Sequence, residues 1–353
     1  MKLAILNDTH CGIRNSSEIF LKNAEDFYEN IFFPECEKRG ITQILHLGDY
    51  YDHRKFVNFK ALNHNRKCFL NELRKRKMTM DIIPGNHDTY YKNTNDLNSL
   101  KELLGHYMNE VHIVMDPTVM EYGSLKIALL PWINQENYEH SMNFIRECKA
   151  DWLGAHLELM GFDMLKGIQN HHGMNPEIFK KFEMVLTGHF HTASQRENIW
   201  YLGSQMEFFW SDAHDPKFFH VLDTETREIE KIQNTYTLFH KILYNADKMD
   251  YNNYNTKQLK NRFVKVVVVN KGDSFIFDRF IDRIQSQEIY DLKIAENFSE
   301  FVGQNIADEG LEVDDTPKLM DDYIEAVDTD LDKGRIKIQM RDLMTQAQAL
   351  EVA

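Results

Sequence analysis

Five short polar motifs within residues 1–191 contain side chains that could perform metal-assisted chemistry. They are Asp8-Thr9-His10, Gly48-Asp49-Tyr50-Tyr51-Asp52, Gly85-Asn86-His87-Asp88, His156 and Gly188-His189-Phe190-His191. Carboxylate, amide and imidazole groups are ligands that several divalent metal ions share. Asp49 is the natural bridging ligand, because one carboxylate can bind two ions that lie about 3.5–4 Å apart. The motifs together therefore predict a site for two divalent metal ions.

Each motif follows a segment that is predicted to be a strand. The predicted strands cover residues 3–6, 43–47, 80–83, 111–115, 125–130, 152–155 and 184–186, and helical patterns cover residues 19–38, 61–77, 97–107 and 138–148. This alternation predicts an α/β layered fold with a central sheet, and ligands bind at the strand ends of such sheets. Gly48, Gly85 and Gly188 each precede a candidate ligand, so we expect them to allow sharp backbone turns there.

Any one of these motifs would be a weak signal. A single histidine after an apolar run, such as His156, is more often a buried residue whose hydrogen bonds are satisfied, and a GNHD turn is common. Five such motifs in this order, each at the end of a predicted strand, are hard to obtain by chance.

The ordered motifs DxH, GDxxD, GNHD, H and GHxH resemble those of the calcineurin-like metallophosphoesterase superfamily. Residues 201–207 (YLGSQME) and 218–223 (FFHVLD) resemble the ending typical of SbcD-like DNA double-strand-break repair nucleases, in particular the recombination endonuclease subunits of T4-type phages. The resemblance implies a layered β-sandwich core flanked by helices over residues 1–238. It also implies a small α+β capping domain over residues 239–295, followed by an acidic linker and partner-binding segment over residues 296–353.

The resemblance further implies a role for each candidate residue. The first metal ion would be bound by Asp8, His10, Asp49 and His191, and the second by Asp49, Asn86, His156 and His189. His87 would be a catalytic residue that lies beside the phosphate and binds no metal. Asp52 would orient His87, although some nucleases of the family have histidine in place of Asp52. Asp88 is expected to be structural. Mn²⁺ is the expected ion, and Mg²⁺, Fe²⁺ or Zn²⁺ are alternatives.

The function implied by the resemblance is that of a two-metal DNA nuclease subunit. It would act as a 3′→5′ exonuclease on duplex DNA and as an endonuclease on single-stranded DNA, and would process DNA ends for recombination and repair. Its expected partner is an SMC-like ATPase, in a heterotetramer that contains a homodimer of this chain. A protein phosphatase or small phosphodiesterase could use the same metal motifs, but residues 201–207 and the long C-terminal extension disfavour it. A scaffold without catalysis is the weakest alternative, because every ligand position has a suitable residue.

Net charge is −14 over 353 residues, which is unusual for a protein that binds DNA. Residues 296–353 contain 15 acidic and 5 basic residues, so this tail carries most of the excess and a basic face elsewhere is still possible. Arg14, Arg54 and Lys55 directly follow metal-binding motifs, so they are the candidates for contacts with DNA phosphates. The run of cations at residues 74–77 fits a solvated helix end as well as it fits a contact with DNA phosphates.

The remaining composition points to a cytoplasmic protein, in the host cell if a phage encodes it. No run of about 18 apolar residues predicts a membrane span. The four cysteines lack CxxC spacing, which favours reduced thiols. Amphipathic segments at residues 318–327 and 336–350 are interpreted either as a partly disordered acidic tail or as segments that fold on the ATPase partner.

Overall fold

The computed structural model describes residues 1–165, 168–296, 324, 332–337 and 339. Its strands are β1 (Lys2–Leu6), β2 (Gln43–His46), β3 (Thr79–Ile82), β4 (Val111–Ile113), β5 (Thr118–Tyr122), β6 (Leu125–Leu130), β7 (Trp152–His156), β8 (Asp163–Leu165), β9 (Ile168–Gln169), β10 (Met184–Gly188), β11 (Ser194–Arg196), β12 (Ile199–Tyr201), β13 (Lys217–Asp223), β14 (Ile229–Asn234), β15 (Phe239–Asn245), β16 (Phe263–Asn270) and β17 (Asp291–Ala295). Its α-helices are α1 (Ile13–Ser16), α2 (Glu18–Phe27), α3 (Phe33–Arg39), α4 (Phe59–Asn65), α5 (Asn71–Arg76), α6 (Ser99–Leu104), α7 (Tyr138–Glu147) and α8 (Ser274–Gln285).

The two largest sheets contain six strands each and pack face to face. Their strand orders are β14-β13-β1-β2-β3-β4 and β11-β12-β10-β7-β6-β5. Leu3 and Ile5 of β1 lie in one hydrophobic cluster with Ile127 and Leu129 of β6, so this cluster is the core between the sheets. The period-two alternation of strands directs one set of apolar residues to each face, and both faces of these sheets are covered.

Helices cover the outer face of each sheet. Ala4 and Leu6 of β1 point away from the other sheet and share a cluster with Phe27 of α2 and Leu73 of α5. On the opposite side, the outer face of the second sheet packs on Ile145 of α7. The molecule therefore has four layers, helix, sheet, sheet and helix, and the layered β-sandwich flanked by helices is confirmed.

The alternation of elements alone predicted the right strands and one central sheet, and the family resemblance predicted the β-sandwich that is present. All seven predicted strands are present, whereas the expected central sheet is in fact two sheets. Parallel strands joined by helices have the same sequence pattern whether they share a sheet or not. Two of the predicted helices are interrupted by π-helical turns, at Tyr28–Phe32 and at Arg66–Leu70.

A third sheet follows the sandwich in the chain. Strands β15, β16 and β17 are parallel, and α8 covers one face, where Phe277 and Phe280 pack against Val264 and Val266. This unit has its own hydrophobic cluster, although the domain boundaries at residues 238 and 295 stay a prediction. Most of the predicted amphipathic segments 318–327 and 336–350 lie outside the described residues. Among the described residues, no helix has both the length and the apolar character needed to cross a membrane.

Glu207 connects the sandwich to the start of the third sheet. Its carboxylate is buried, and Oε2 accepts hydrogen bonds from the backbone N–H groups of Leu238 (2.6 Å) and Phe239 (2.8 Å). Burial raises the pKa of Glu207 to about 7. The two backbone donors would have no acceptor there without this side chain, so Glu207 holds β15 in place.

Replacing Glu207 should therefore destabilise the protein in proportion to the hydrogen bonds that are lost. We expect Glu207→Ala to lower the free energy of unfolding by about 2–4 kcal/mol, because two buried donors lose their acceptor. Glu207→Gln should lower it less, because the amide oxygen can still accept both bonds. Urea denaturation of the two variants beside the wild type measures the difference. Equal stability of Glu207→Ala and the wild type would contradict this role.

Candidate active site

The five polar motifs meet at one end of the sandwich. Asp8, Asp49 and Asn86 lie on the loops that follow β1, β2 and β3 in the first sheet. His156 is the last residue of β7, and His189 directly follows β10, both in the second sheet. Because β1–β3 are parallel and β7 and β10 are parallel, their carboxyl ends form a common edge. The prediction that the motifs would converge at strand ends is confirmed.

One group of side chains surrounds His10. His10 Nε2 lies 3.0 Å from His191 Nε2 and 3.8 Å from Asp49 Oδ2. Asp8 Oδ1 lies 3.9 Å from both histidine nitrogens. Asp8, His10 and Asp49 are buried and His191 is largely so, and the ligand atoms of Asp8, His10 and His191 are near enough together to share one metal ion.

A second group surrounds Asn86. The Asn86 Oδ1 atom lies 3.0 Å from His156 Nε2 and 2.9 Å from His189 Nδ1. Asp49 Oδ2, which also belongs to the first group, lies 3.3 Å from His156 Nε2. A carboxylate shared by two groups of nitrogen and oxygen ligands has the arrangement of a bridging ligand in a two-metal centre.

The orientation of His156 and the protonation of His189 and His191 fit a metal ion. His156 Nδ1–H donates a hydrogen bond to the Leu47 carbonyl (2.8 Å), so Nε2 is the nitrogen that faces the other ligand atoms. Burial lowers the pKa of His189 to about 3 and that of His191 well below its ordinary value, so both rings are neutral at pH 7. Neutral imidazoles mixed with carboxylates suit Mn²⁺, Fe²⁺ and Zn²⁺ alike.

Two other histidines of the site hold protons more tightly. Burial lowers the pKa of His10, but the carboxylates of Asp52, Asp49 and Asp8 outweigh it and raise that pKa to about 9. Burial likewise opposes the protonation of His156, and Asp49 raises the pKa of that ring to about 9. A metal ion must therefore displace a proton from each of these two rings.

The backbone of the site is unusual. Asp8 (φ 47°), His10 (φ 42°), Asp49 (φ 56°) and His189 (φ 93°) all have left-handed backbone conformations, which non-glycine residues seldom adopt. Such strain persists where surrounding structure enforces it, and it is common at functional sites. Among the bonds that enforce it are those from Asp8 N to the Gly48 carbonyl (2.9 Å) and from His10 N to the Asp49 carbonyl (3.1 Å).

The glycines that precede the ligands serve two different purposes. Gly48 has a φ of 88°, as expected for a sharp turn. Gly85 lacks a left-handed conformation, and a side chain there would overlap the Oδ1 and backbone N of Asp49. A side chain at Gly188 would come within 2.8 Å of Asp8 Oδ2. The expectation of a sharp turn is thus met at Gly48, whereas Gly85 and Gly188 are needed because the loops pass so close together.

His87 is near the predicted place, but its contact with Asp52 differs from the expected one. His87 Nε2 lies 3.9 Å from Asp49 Oδ2, at the edge of both ligand groups. His87 Nδ1–H donates to the backbone carbonyl of Asp52 (2.6 Å), so the main chain of Asp52 orients this ring. The Asp52 carboxylate instead lies 3.4 Å from His10 Nδ1. A carboxylate behind an imidazole ligand fixes the ring and raises its basicity.

Asp88 has the structural role that was expected for it. Its buried carboxylate accepts hydrogen bonds from the backbone N–H groups of Tyr50 (3.0 Å), Tyr51 (3.1 Å) and Gly85 (2.9 Å). Asp88 therefore ties the loop after β3 to the loop after β2. These are the loops that carry Asn86 and Asp49.

One of the three candidate DNA-binding residues, Arg14, lies beside the first ligand group, and the other two lie on the loop that follows Asp52. Arg14 donates from Nε to the Phe208 carbonyl (3.2 Å), and its guanidinium lies 5.0 Å from the Phe209 ring. Phe209 in turn stacks on His191, with ring centroids 5.7 Å apart, so Arg14 lies beside the first ligand group. Arg54 is half-buried and Lys55 is exposed on the loop that follows Asp52. Their contacts with nucleic acid stay a prediction.

Sequence reasoning missed a buried ion cluster that supports His191. Lys217 is buried, and its ammonium donates to the His191 carbonyl (2.9 Å), Asp212 Oδ1 (2.7 Å) and Asp215 Oδ2 (2.9 Å). The other oxygen of Asp212 accepts from the backbone N–H groups of Phe208 and Phe209. A lysine at the start of a strand resembles an ordinary surface residue, so no sequence signal identifies this cluster.

Trp132 was also missed, although a signal for it exists. Its ring lies 5.5 Å from that of His189 and 5.9 Å from that of His156, between centroids. Trp132 comes just after the end of β6, which is parallel to β7. The expectation that functional residues follow strand ends could therefore also have pointed to Trp132, whose ring borders the second group.

Comparison with known proteins identifies the family. The family model for calcineurin-like phosphoesterases matches residues 1–193, which is more than half of the chain. The chain belongs to this family. The predicted class of enzyme, a metal-dependent phosphodiesterase, is thereby confirmed.

This phosphoesterase is similar along most of its length to one phage protein. Exonuclease subunit 1 of Enterobacteria phage T4 is 30% identical over 337 residues, which are 95% of each chain. An archaeal phosphodiesterase structure matches at a TM-score of 0.33 and 16% identity, covering 66% of this chain and 100% of that one. A purple acid phosphatase from yellow lupin (Lupinus luteus) seeds matches at a TM-score of 0.39 and 10% identity, covering 65% and 52%.

Gly85→Ala should disable the phosphoesterase by shifting Asp49, because the carboxylate and the backbone N of Asp49 both lie too close to the added methyl group. The added methyl group would displace the Asp49 carboxylate, and misplacing a ligand by about 1 Å can cost roughly 100-fold in rate. We therefore expect a loss of that order in the hydrolysis of bis-p-nitrophenyl phosphate with Mn²⁺, together with reduced metal content. Gly105→Ala is the matched control, because its methyl group would meet no atom within 4 Å. Full activity in Gly85→Ala would contradict the crowding at Asp49.

Metal binding by this phosphoesterase should release protons. Because His10 and His156 have a pKa of about 9 without metal, both rings are protonated at pH 7 and lose a proton when an ion binds. We expect release of roughly two protons per chain at pH 7, and tighter binding as the pH rises toward 9. Calorimetric titration of chelator-treated protein in buffers of different ionisation enthalpy measures this. A binding enthalpy that is independent of the buffer would contradict it.

Proposed function

We propose that this chain is a two-metal DNA nuclease that processes DNA ends. The observation that carries the proposal is the Asp49 carboxylate, which is shared by two ligand groups with the ring of His87 beside it. Similarity over 95% of both chains to a protein named as an exonuclease subunit supports DNA as the substrate. The family alone, which includes other phosphoesterases, would leave the substrate open.

The proposed ligand sets follow the two groups. The first metal ion is bound by Asp8, His10, Asp49 and His191, and the second by Asp49, Asn86, His156 and His189. Ligand atoms that lie 2.9–3.9 Å apart within each group support this assignment. Mn²⁺ is the proposed ion by the family resemblance, and the mixed imidazole and carboxylate donors disfavour Mg²⁺ alone.

In this proposal, His87 contacts the phosphodiester and supplies a proton to it. The two ions, when bound, polarise the phosphodiester and lower the pKa of water. His87 faces the reacting phosphate through Nε2, while Nδ1–H is held by the Asp52 carbonyl. In the imidazolium form, His87 donates a hydrogen bond from Nε2–H to the phosphate or a proton to the departing oxygen. The Asp52 carboxylate positions His10 and is not itself the catalytic acid.

DNA is held by the rim of the site in this proposal. Arg14 lies beside the first ligand group, and Arg54 and Lys55 follow the Asp52 loop, so their charges complement the phosphates on either side of the cleaved bond. Contacts of this kind ignore sequence and weaken as salt concentration rises. The unit at residues 239–295 would act as a capping domain that positions the DNA.

The finer activities and partners are proposed from the family resemblance. They are 3′→5′ exonuclease activity on duplex DNA, endonuclease activity on single-stranded DNA, and function in the cytoplasm. An SMC-like ATPase would bind residues 296–353, and two copies of this chain would form the centre of a heterotetramer. A relative that is named as a subunit supports the existence of a partner.

His87→Gln tests the function and the catalytic role together. We expect it to slow the release of nucleotides from end-labelled duplex DNA in Mn²⁺ by roughly 100-fold or more, because a proton donor is lost. Metal content and DNA affinity should be unchanged, because the substitution removes no proposed ligand. His140→Gln, at an exposed position on α7, is the matched control.

Two results would contradict the proposal in different ways. Loss of metal ions from His87→Gln would make His87 a ligand rather than a proton donor. Hydrolysis of phosphomonoesters by the wild type, with DNA left intact even after an ATPase partner is added, would favour a phosphatase.

A further inference from the structure

The loop between β2 and α4 exposes aromatic rings beside the active site. Phe56 is 62% exposed, and its ring stacks on His53 with centroids 4.0 Å apart and planes inclined by 25°. Phe59, at the start of α4, is 86% exposed. Single exposed apolar side chains are ordinary at protein surfaces. Two stacked rings on an exposed loop form a flat surface, which is a less ordinary feature.

This pair of rings is tied closely to the reacting groups. The loop starts at Asp52, whose carbonyl accepts from His87 and whose carboxylate lies against His10. His53 is the next residue, and Phe56 is at most about 14 Å along the chain from Asp52. The rings of His53 and Phe56 are therefore within a few nucleotides of the phosphate that His87 would face.

The charges around the rings match a nucleic acid strand. Arg54 and Lys55 lie between His53 and Phe56 in the sequence, so two cations are flanked by aromatic rings. Proteins bind single-stranded nucleic acid with this combination, in which bases stack on the rings while cations attract the backbone. A second copy of this chain would not need cations interleaved with the rings.

We propose that His53 and Phe56 form a stacking platform for an unpaired nucleobase next to the cleaved phosphodiester. The inference rests on the proposed nuclease function and goes beyond it, because it gives the site a subsite for single-stranded DNA or a frayed duplex end. The platform holds the base while the Asp52 carbonyl holds His87, so the same loop positions substrate and proton donor. Stacking is sequence-tolerant, since every base has an aromatic face.

Cleavage of single-stranded DNA by Phe56→Ala tests the platform. We expect the rate at limiting DNA concentration to fall roughly 10- to 100-fold, with recovery in Phe56→Trp, because each stacked base contributes that much to binding. Cleavage of a single strand built only of tetrahydrofuran abasic nucleotides, which has no aromatic ring to stack, should be unchanged in both variants. That second substrate also shows that the variants are folded and retain their metal ions.

An abasic nucleotide supplies the complementary measurement. The abasic nucleotide is placed in turn at each of the first four positions on either side of the cleaved bond. At one of these positions it should slow DNA cleavage by the wild type by a similar factor. At that position it should not slow Phe56→Ala further, because ring and base act as a pair.

Each alternative outcome is distinct. Equal rates of DNA cleavage by Phe56→Ala and the wild type would overturn the platform while leaving the nuclease intact. A change in oligomeric state in Phe56→Ala, measured by sedimentation, would overturn it in favour of contact with a second copy. Failure of the wild type to cut any DNA, while it still hydrolyses bis-p-nitrophenyl phosphate, would remove the nuclease function on which the platform rests.

Discussion

The carboxylate of Asp49 is the group on which the rest of this site depends. Its Oδ2 atom lies 3.3 Å from His156 Nε2, 3.8 Å from His10 Nε2 and 3.9 Å from His87 Nε2. Burial would raise the pKa of Asp49, but the surrounding imidazoles outweigh burial and hold that pKa well below its ordinary value. One ionised oxygen thus faces both ligand groups and the proposed proton donor.

The fold brings these groups together by crowding loops from two sheets at one edge. The crowding leaves no room for a side chain at Gly85 and requires left-handed backbone at Asp8 and Asp49. Such strain is tolerated because the strand ends below are buried on both faces and because Asp88 ties two of the loops together. Lys217 fixes the His191 loop in a similar way from the opposite side. Rigidity at the strand ends is what allows neighbouring ligand atoms to stay 2.9–3.9 Å apart.

Sequence reasoning located the residues that the fold brings together because strand-end motifs have a regular pattern, and it failed where contacts depend on loop paths. The positions of Asp8, Asn86 and His156 relative to their strands are local properties, so they could be predicted. Whether Asp52 uses its carbonyl or its carboxylate toward His87 depends on the course of the main chain, and here the carboxylate lies against His10. Lys217 could not be found, because only the folded chain shows that it is buried. The alternation of strands and helices alone indicated one sheet for the same reason, and only the family resemblance implied the two that are present.

The central claim is that two metal ions share the Asp49 carboxylate, and electron paramagnetic resonance of the Mn²⁺-loaded protein tests it most directly. If Asp49 bridges the ions, they lie about 3.5–4 Å apart. We predict two ions per chain with a spin-coupled spectrum, which Asp49→Asn should convert to the spectrum of isolated ions. A wild-type spectrum of uncoupled Mn²⁺ at full occupancy, or a single bound ion per chain, would contradict the account.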